Sequence, residues 1–547
     1  MNDAKATIEN EAGNQRRFRA SFSLRFLFLV ITSIACVAAW ITSCQRRAVF
    51  EAKQSNLLQE KYGAHCYYGY QVDPDVEGVV SFSNPRSRKR DPPGPKWIRR
   101  LFGDHVFARI RKVDFRTDPE RFHVHPSPYD NIHQFERLKH IGEVTQLKGL
   151  RYLYLKRNGR SPKDLSGLNL LKDLRMLDMT GREVDSLPDF TGMKQLWSLN
   201  ISHCRKLQSL EGLEELPKLR QLKGWYCPSL RDASALRSCT SLEDVRLSRC
   251  SFLTHLDDFS NLKSLKTLII SDTAIKNVDG LADLQCLEEL TLSGNLQLAN
   301  LDGLRGTVSL SKLDCNDCKG LTCIGGLHGH NSLKYLNLGS CESLKSLDGL
   351  ASHAGIDLVA AGHCHSLEDI SALDKNKSIR HLEVGDSEFL SDISIVKSLT
   401  GLESLVLRNN PKVTALSAVF ELKQLKQLTL QNNYLQRDVQ PILMFENLEQ
   451  LSLSANQELR QVDGLNQLDK LTSLSLSHCP KLKNVDGLAG LSKITDLRFI
   501  CNHQLVNLDG LKKMSGLKRV TIFDCPKLDV EDLRSTTPNV VWHQPTQ

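Results

Sequence analysis

Aromatic side chains are scarce in this sequence. Only 6% of the 547 residues are Phe, Trp or Tyr, against 40% hydrophobic overall, with Met at 6 and Trp at 5. An interior filled by large rings is thereby excluded, and the core must be built mainly of leucine. Proline, at 18 residues, is too rare for a Pro-rich or collagenous chain. Charge of one sign is missing from most of the length. Residues 149–547 hold 47 Lys+Arg and 47 Asp+Glu, whereas residues 1–148 hold 24 against 16 and carry the whole net charge of +8. The larger part has no net field to attract nucleic acid. Chemistry is missing too. No Ser–His–Asp set, carboxylate pair or phosphate loop recurs with a spacing that suggests catalysis. His363 and His365, in "GHCHS", read as solvated loop residues, so no enzyme activity and no cofactor is expected.

Uncharged runs are short, with one exception. "FLFLVITSIACVAAWITS" (Phe26–Ser43) has no charged residue, and as a helix it would span roughly 27 Å, just enough for a bilayer core. Arg16, Arg17, Arg19 and Arg25 precede it, Arg46 and Arg47 follow, and Trp40 is placed as an interfacial anchor. We read 1–25 as a basic tail and 26–43 as a single-pass anchor in a bacterial inner membrane, with the remainder extracytoplasmic. Two alternatives stay open for the segment: a lipoprotein box at Ile41-Thr42-Ser43-Cys44, lipidated at Cys44, and a cleaved signal peptide. The repeats could equally face the cytoplasm. Residues 44–103 read as a juxtamembrane helix (Arg46–Gly63) followed by a basic Pro-rich linker. Within that linker, 86–100 is a solvated tether or a contact for anionic lipid.

From Leu150 the chain repeats itself. "LTSLSLSHCPKLKNVDGLAGLSK" (Leu471–Lys493) states a grammar whose first leucine recurs as Leu150, Leu174, Leu196, Leu219, Leu242, Leu265, Leu287, Leu310, Leu333, Ile356, Ile379, Leu402, Leu425, Leu448, Leu471, Ile494 and Leu517. These are 17 copies, and their 16 intervals are all 23 residues except one of 24 and two of 22. With that residue as phase 0, phases 3 and 5 alternate with polar positions, as a strand with one buried face requires. A Leu-Asp-Gly-Leu turn follows, as at Leu301-Asp302-Gly303-Leu304, where the Asp is expected to cap a short helical turn. Copy 13 lacks that turn and carries Pro441, which suggests a different segment there; copy 10 is weak, with Val359 and Ala361 at phases 3 and 5. One copy cannot bury its own apolar face, whereas stacked copies make a continuous core.

The grammar L-x-x-L-x-L-x-x-[C/N]-x-x-L-x-x-[L/V]-D-G-L resembles the leucine-rich repeat, over about 400 residues. Together with the N-terminal segment it resembles bacterial membrane-anchored leucine-rich repeat proteins, with repeats akin to the internalin-type and phosphatase-regulator classes. The period of 23 and the phase-8 cysteines depart from the shorter form of those classes. The resemblance implies an α/β solenoid, with a parallel β-sheet on the concave face and short helical or 3-10 turns on the convex face. Residues 150–539 would hold the repeats, 104–149 an irregular N-terminal cap beginning near "FARIRKVDF", and 540–547 a C-terminal half-repeat.

The resemblance also implies that phase 8 points inward. It is Cys204, Cys227, Cys250, Cys318, Cys341, Cys364, Cys479 and Cys525, or Asn158, Asn295, Asn410, Asn433, Asn456 and Asn502. This disposes of an apparent zinc knuckle in "DCNDCKGLTC", where Cys315, Cys318 and Cys323 precede His328 and His330. Cys318 is the phase-8 residue of its copy, Cys315 replaces a phase-5 leucine and His330 a phase-20 leucine, so these side chains do not converge. No metal is expected. Consecutive phase-8 thiols would stand close enough for a disulfide, though free buried thiols are the plainer reading.

Function in such an architecture is expected on the concave face, at phases 2, 4 and 6, which are mostly small and polar here. Tyr152, Tyr154, Trp225 with the adjoining Tyr226, Tyr335, Ile500 and Phe523 interrupt that ladder. Aromatic anchors among small polar residues suit binding of a protein ligand. The expected function is a non-catalytic, membrane-anchored scaffold. A self-associating envelope protein and a regulatory subunit of an intracellular enzyme are the alternatives.

Overall fold

In the computed structural model the described residues are 141–531 apart from short gaps (148, 156–163, 352, 433–437, 513, 515 and 530), with 46–57, 65–68, 110–114, 541–543 and 39, 42 and 43. The chain divides into two units, one of 1–61 with 65–112, the other of 62–64 with 113–547. In the first, residues 46–57 are helical and His65–Tyr68 is a strand. The basic tail 1–25, the linker segment 86–100 and all of the apolar run but three residues lie outside the described residues. Among those described, no helix is long and apolar enough to cross a membrane.

In the second unit a helix, Gly142–Thr145, precedes a ladder of parallel strands. The seventeen described copies each contribute one, from Tyr152–Tyr154 to Arg519–Phe523, and each pairs with the strand of the copy before and after it. Val541–His543 adds a further parallel strand beside Arg519–Phe523. Register follows the repeat. Phase 2 always faces phase 2, as in Lys312↔Tyr335, and also across the copies of irregular length, as in Tyr152↔Met176 and Thr267↔Glu289. Strands have three residues up to Tyr335–Asn337, four at Leu358–Ala361 and five from His381–Gly385 onward. Copy 10 is therefore where the sheet widens, and Val359 and Ala361 are as buried there as leucine is elsewhere.

Leucine fills the interior because many positions per copy face it: in copy 15 Leu471, Leu474, Leu476, Cys479, Leu482, Val485, Leu488 and Leu491 are all at most 2% exposed. Leu153, Leu199, Leu268, Leu336, Leu405 and Leu474, all at phase 3, are 1% exposed or less, and each buried leucine stabilises by about 2 kcal/mol before entropy is counted. On the opposite side fifteen of the seventeen copies, all but copies 2 and 17 among the described residues, make a short 3-10 turn, such as Asp279–Leu281, Asp302–Leu304, Asp348–Leu350 and Asp509–Leu511.

These turns correct one expectation. The Asp of Leu-Asp-Gly-Leu does not cap; the residue two places before it does. Asn300 Oδ1 accepts the Asp302 N–H (3.0 Å), and Asn277, Asn484 and Asn507 do the same for Asp279, Asp486 and Asp509. Where the turn begins with Ser, Asp232, Asp369 and Asp392 take the role. The reason is reach: a short Asx side chain closes onto the N–H two residues ahead, whereas an Asp already inside the turn points to solvent. The glycine has a separate cause. A Cβ on Gly303 would overlap the Val278 carbonyl oxygen, and one on Gly326 that of Leu301, so the motif lets successive copies touch backbone to backbone. Copy 13 also differs from expectation, for Gln440–Met444 is again a 3-10 turn with Pro441 in its first positions. Proline is tolerated there because the N–H it lacks would have had no partner within the helix.

Candidate functional site

Phase 8 is a continuous inward file. Cys204, Cys227, Cys250, Cys318, Cys341, Cys364 and Cys479 are fully buried, Cys525 is 9% exposed, and Asn295, Asn410, Asn456 and Asn502 are at most 1% exposed. Asn158 and Asn433 lie outside the described residues. One bond recurs: the side chain donates to the phase-5 carbonyl of the preceding copy. The thiols of Cys227, Cys318, Cys341 and Cys364 do so to Ile201, Leu292, Cys315 and Leu338 at 3.1–3.2 Å. The amides of Asn502 and Asn295 do so to Leu476 (2.8 Å) and Ile270 (2.7 Å). Asparagine adds a second link. Its Oδ1 accepts the phase-8 N–H of the preceding copy, from Thr273 to Asn295, Ser387 to Asn410 and Cys479 to Asn502 (2.9–3.0 Å). Thr273 and Ser387 are members of the file that the Cys/Asn pattern did not include. Both are small hydroxyl residues at the same phase, which was the available signal.

Burial pushes three of these thiols up, Cys204 and Cys479 to about 11 and Cys364 to about 12. Those three are protonated donors rather than nucleophiles or metal ligands. Cys315 and His330, from the apparent zinc knuckle, are both buried, but His330 is held by Thr307 Oγ1 (3.0 Å) and the carbonyls of Leu304 and Leu327. Among the described residues no cluster of His, Cys, Asp or Glu could hold a metal ion.

Phase 7 is the edge where the strands end, and there the backbone turns left-handed in copy after copy. His203, Tyr226, Arg249, Asp272, Asp317, Ser340, His363 and Asp386 have φ between 53° and 60°. Asp, Asn, His and Gly dominate the position, as the left-handed region favours; that enrichment was visible in the sequence. The turn projects phase-7 side chains as an outward ridge. On it His363 Nδ1 meets Asp386 Oδ2 at 2.8 Å, with Ser340 one copy earlier. The trio has the residue types of a hydrolytic triad without its surroundings. The Ser340 and Asp386 N–H groups are engaged by the carbonyls of Gly362 and Arg408 (both 2.7 Å), and His363 is 61% exposed. No aimed N–H pair stands ready for an oxyanion.

The aromatic candidates do not form one surface. Tyr152 and Tyr154 are half-buried, Tyr154 donating to Met176 Sδ (3.2 Å). Tyr335 is half-buried beneath Lys312, whose Nζ is 5.9 Å from the ring centroid. Ile500 and Phe523 lie side by side in register at the far end, Phe523 46% exposed. Trp225 and Tyr226 belong to a built cluster. His203 packs edge-on against Trp225 with ring centroids 4.5 Å apart and lies 5.7 Å from Tyr226. The guanidinium of Arg205 stands 4.9 Å from the Tyr226 centroid and that of Arg249 5.6 Å from Trp225. Trp225 is 45% exposed, and its backbone is fixed by its N–H to Ser202 Oγ (3.1 Å) and by the His203 N–H donating to its carbonyl (2.7 Å). Beneath it Gly224 occupies a phase-5 position where other copies place a larger apolar side chain, and Leu247 and Ile201 fill the space. His203, Arg205 and Arg249 were missed by a reading confined to phases 2, 4 and 6, because the left-handed turn brings phases 7 and 9 to the same edge.

A family model described as leucine rich repeats (2 copies) matches residues 263–306. No curated protein matches the chain. Among solved structures, a leucine-rich-repeat protein of Leptospira interrogans is 20% identical with a TM-score of 0.55, covering 74% of this chain and 99% of its own. An internalin of Listeria monocytogenes is 22% identical with a TM-score of 0.47, covering 60% of this chain and 87% of its own. The functional domain of InlJ from the same organism, described as including a cysteine ladder, is 19% identical with a TM-score of 0.39, covering 66% and 65%.

Proposed function

Because the chain is a leucine-rich-repeat protein, a class that typically mediates protein–protein interaction, we propose that it is a non-catalytic scaffold that binds a protein ligand on its concave face. The observation that carries this reading is the Trp225–Tyr226 cluster. Rigid, half-exposed aromatic rings braced by arginines amid small polar residues are what binding hot spots are made of. The concave surface elsewhere mixes small polar side chains such as Ser473, Ser475 and Ser477 with charged ones such as Lys312, Glu383 and Arg498, which offers complementarity rather than anchoring. Photo-crosslinking tests the reading. A benzophenone residue at Asn200 or Ser475 on the strands should trap a partner protein in the native cells, and one at Asp302 on the opposite turns should not. Equal trapping at both, or trapping only of a second copy of the chain, would overturn it.

We further propose that residues 26–43 hold the scaffold at a membrane with the repeats outside the cytoplasm. Support comes from the uncharged run and its arginine-rich flank. One observation favours the opposite orientation, in which the repeats face the cytoplasm: the phase-8 thiols are engaged as hydrogen-bond donors, and such a store of free cysteines suits a reducing space. Cys286 and Cys323 are exposed and serve as native reporters. An impermeant maleimide should label both in intact cells stripped of any outer barrier. Labelling only after lysis would establish the reverse topology.

A further inference from the structure

We propose that the edge of copies 3 to 5 is a docking site for an acidic, aromatic-containing segment of the partner protein. The inference rests on the scaffold reading and names the chemistry of its ligand. Four cations stand in this part of the sheet: Arg205 and Arg249 against the rings, and Lys223 and Arg246 paired in register on adjoining strands. Arg246 is paired with Asp244 (2.8 Å) and Arg249 with Asp272 (3.3 Å). Arg205 and Lys223 have no ion-pair partner among the described residues. Asp178, the remaining nearby carboxylate, is engaged by the Thr180 N–H (2.9 Å) and hydroxyl (2.6 Å). Lys223 is half-buried between the Asn200 and Arg246 positions of the neighbouring strands, and its ammonium is held below the usual lysine range first by that burial. Asp244 and Asp178 act on it only from beyond ion-pair distance, so an arriving carboxylate would supply a direct pair, in a place partly shielded from solvent, where such a pair is stronger than at the open surface.

The rings set the second requirement. Trp225 presents 45% of its surface, while Arg249 and Arg205 lie against Trp225 and Tyr226. This leaves an apolar step edged by positive charge. A neutral glycan would use the rings but not the two unpaired cations, and a nucleic acid would need a basic surface that the neutral repeat region does not provide. An extended peptide matches both, because a carboxylate and a ring two residues apart stand on the same face about 6.6 Å from each other, the spacing at which Lys223 and Trp225 follow one another along their own segment.

The test uses the full chain, solubilised, with a fluorescein-labelled short peptide carrying Glu and Tyr two residues apart, with Ser between them, and its Gln–Tyr analogue. The Glu–Tyr peptide should bind at least about tenfold more tightly, and its advantage should vanish toward about 0.5 M salt. Lys223→Gln should remove most of that advantage. Trp225→Ala should weaken both peptides by about tenfold or more while Trp225→Phe retains binding, and Phe523→Ala at the far end should stay within about twofold. Unchanged hydrogen exchange around the substituted copies in each variant excludes misfolding. Equal binding of the two peptides, no binding of either, or equal effects of Phe523→Ala and Trp225→Ala would overturn the proposal. So would preferential binding to anionic lipid vesicles that is lost in Lys223→Gln. If partner crosslinking through Asn200 persists in that event, the acidic-ligand inference has failed and the scaffold reading has not.

Discussion

Asn295→Ala isolates the inward file at its most heavily bonded member. Asn295 Nδ2 donates to the carbonyls of Ile270 (2.7 Å) and Leu292 (2.6 Å), and Oδ1 accepts from the Thr273 N–H (3.0 Å) and hydroxyl (2.6 Å). Truncation does not orphan all of these. The Leu292 carbonyl keeps the Cys318 thiol (3.2 Å), and the Thr273 hydroxyl can rotate. The Ile270 carbonyl and the Thr273 N–H are left without a partner inside a dry interior, at about 1–3 kcal/mol each, so a loss of about 4 kcal/mol is expected. Asn295→Cys restores the first by the geometry of Cys318 and leaves only the second, at about 2 kcal/mol. A long repeat array does not unfold in one step, so a global melting temperature is the wrong readout. Hydrogen exchange followed by mass spectrometry on peptides spanning copies 6 to 8 reads the local opening. At tenfold per 1.4 kcal/mol, Asn295→Ala should speed exchange there by several hundredfold or more and Asn295→Cys by tens. Copies 14 to 17 should not change. Exchange within about threefold of wild type, or equal rates in the two variants, would refute the reasoning.

Three further outcomes follow from the same geometry. Gly224→Leu restores the repeat's own preferred residue, yet it should destabilise by about 1–3 kcal/mol, because a Cβ there already meets Leu247 Cδ2 at 2.7 Å; urea unfolding of copies 3 to 6, followed by Trp225 fluorescence, measures it. Alkali should weaken the fold as the pH rises from about 9, where unfolded thiols ionise, through the raised folded values of Cys204, Cys479 and Cys364 at about 11 to 12, with stability intact below that window; replacing all three with Ser should flatten the profile. Acid should act at His353, which burial, and then the neighbouring His330 and His328, depress to about 4. Above the unfolded imidazole value near 6.5 it contributes no pH dependence, and stability is lost as the pH falls from there toward about 4. Exchange in copies 9 and 10, corrected for intrinsic rate, should accelerate over that range in wild type and not in His353→Leu.

Much of the fold was legible because one constraint repeats. A leucine period of 23 with strand alternation at phases 3 and 5 leaves a stacked parallel sheet as the consistent arrangement, and the observed register pairs phase 2 with phase 2 throughout. The capping residues were misassigned because Asn300 and Asp302 are both plausible caps in sequence, and only the direction of the turn separates them. The phase-20 file of Thr307, His330, His353 and Asn376 was seen only at His330, as a leucine replacement; its continuity emerges once consecutive copies are stacked. The candidate site was half legible. Trp225 and Tyr226 stood out as large residues on a polar ladder. Arg205, His203 and Arg249 belong to phases that an alternating strand directs elsewhere, and they reach the rings because His203, Tyr226 and Arg249 each turn left-handed.

The measurement that tests the central claim most directly is the affinity of the crosslinked partner in a blocking scan around the solenoid. Tryptophan is placed in turn at Asn200, Thr291 and Ser475 on the strands, at Ser202 just past the end of one, and at Arg305, Glu342 and Asp486 away from them. A concave scaffold anchored at copies 3 to 5 predicts a loss of about tenfold or more at Asn200 and Ser202, and affinities unchanged within about twofold at Arg305, Glu342 and Asp486. Loss at the latter positions with full binding at Asn200 and Ser202 would contradict it.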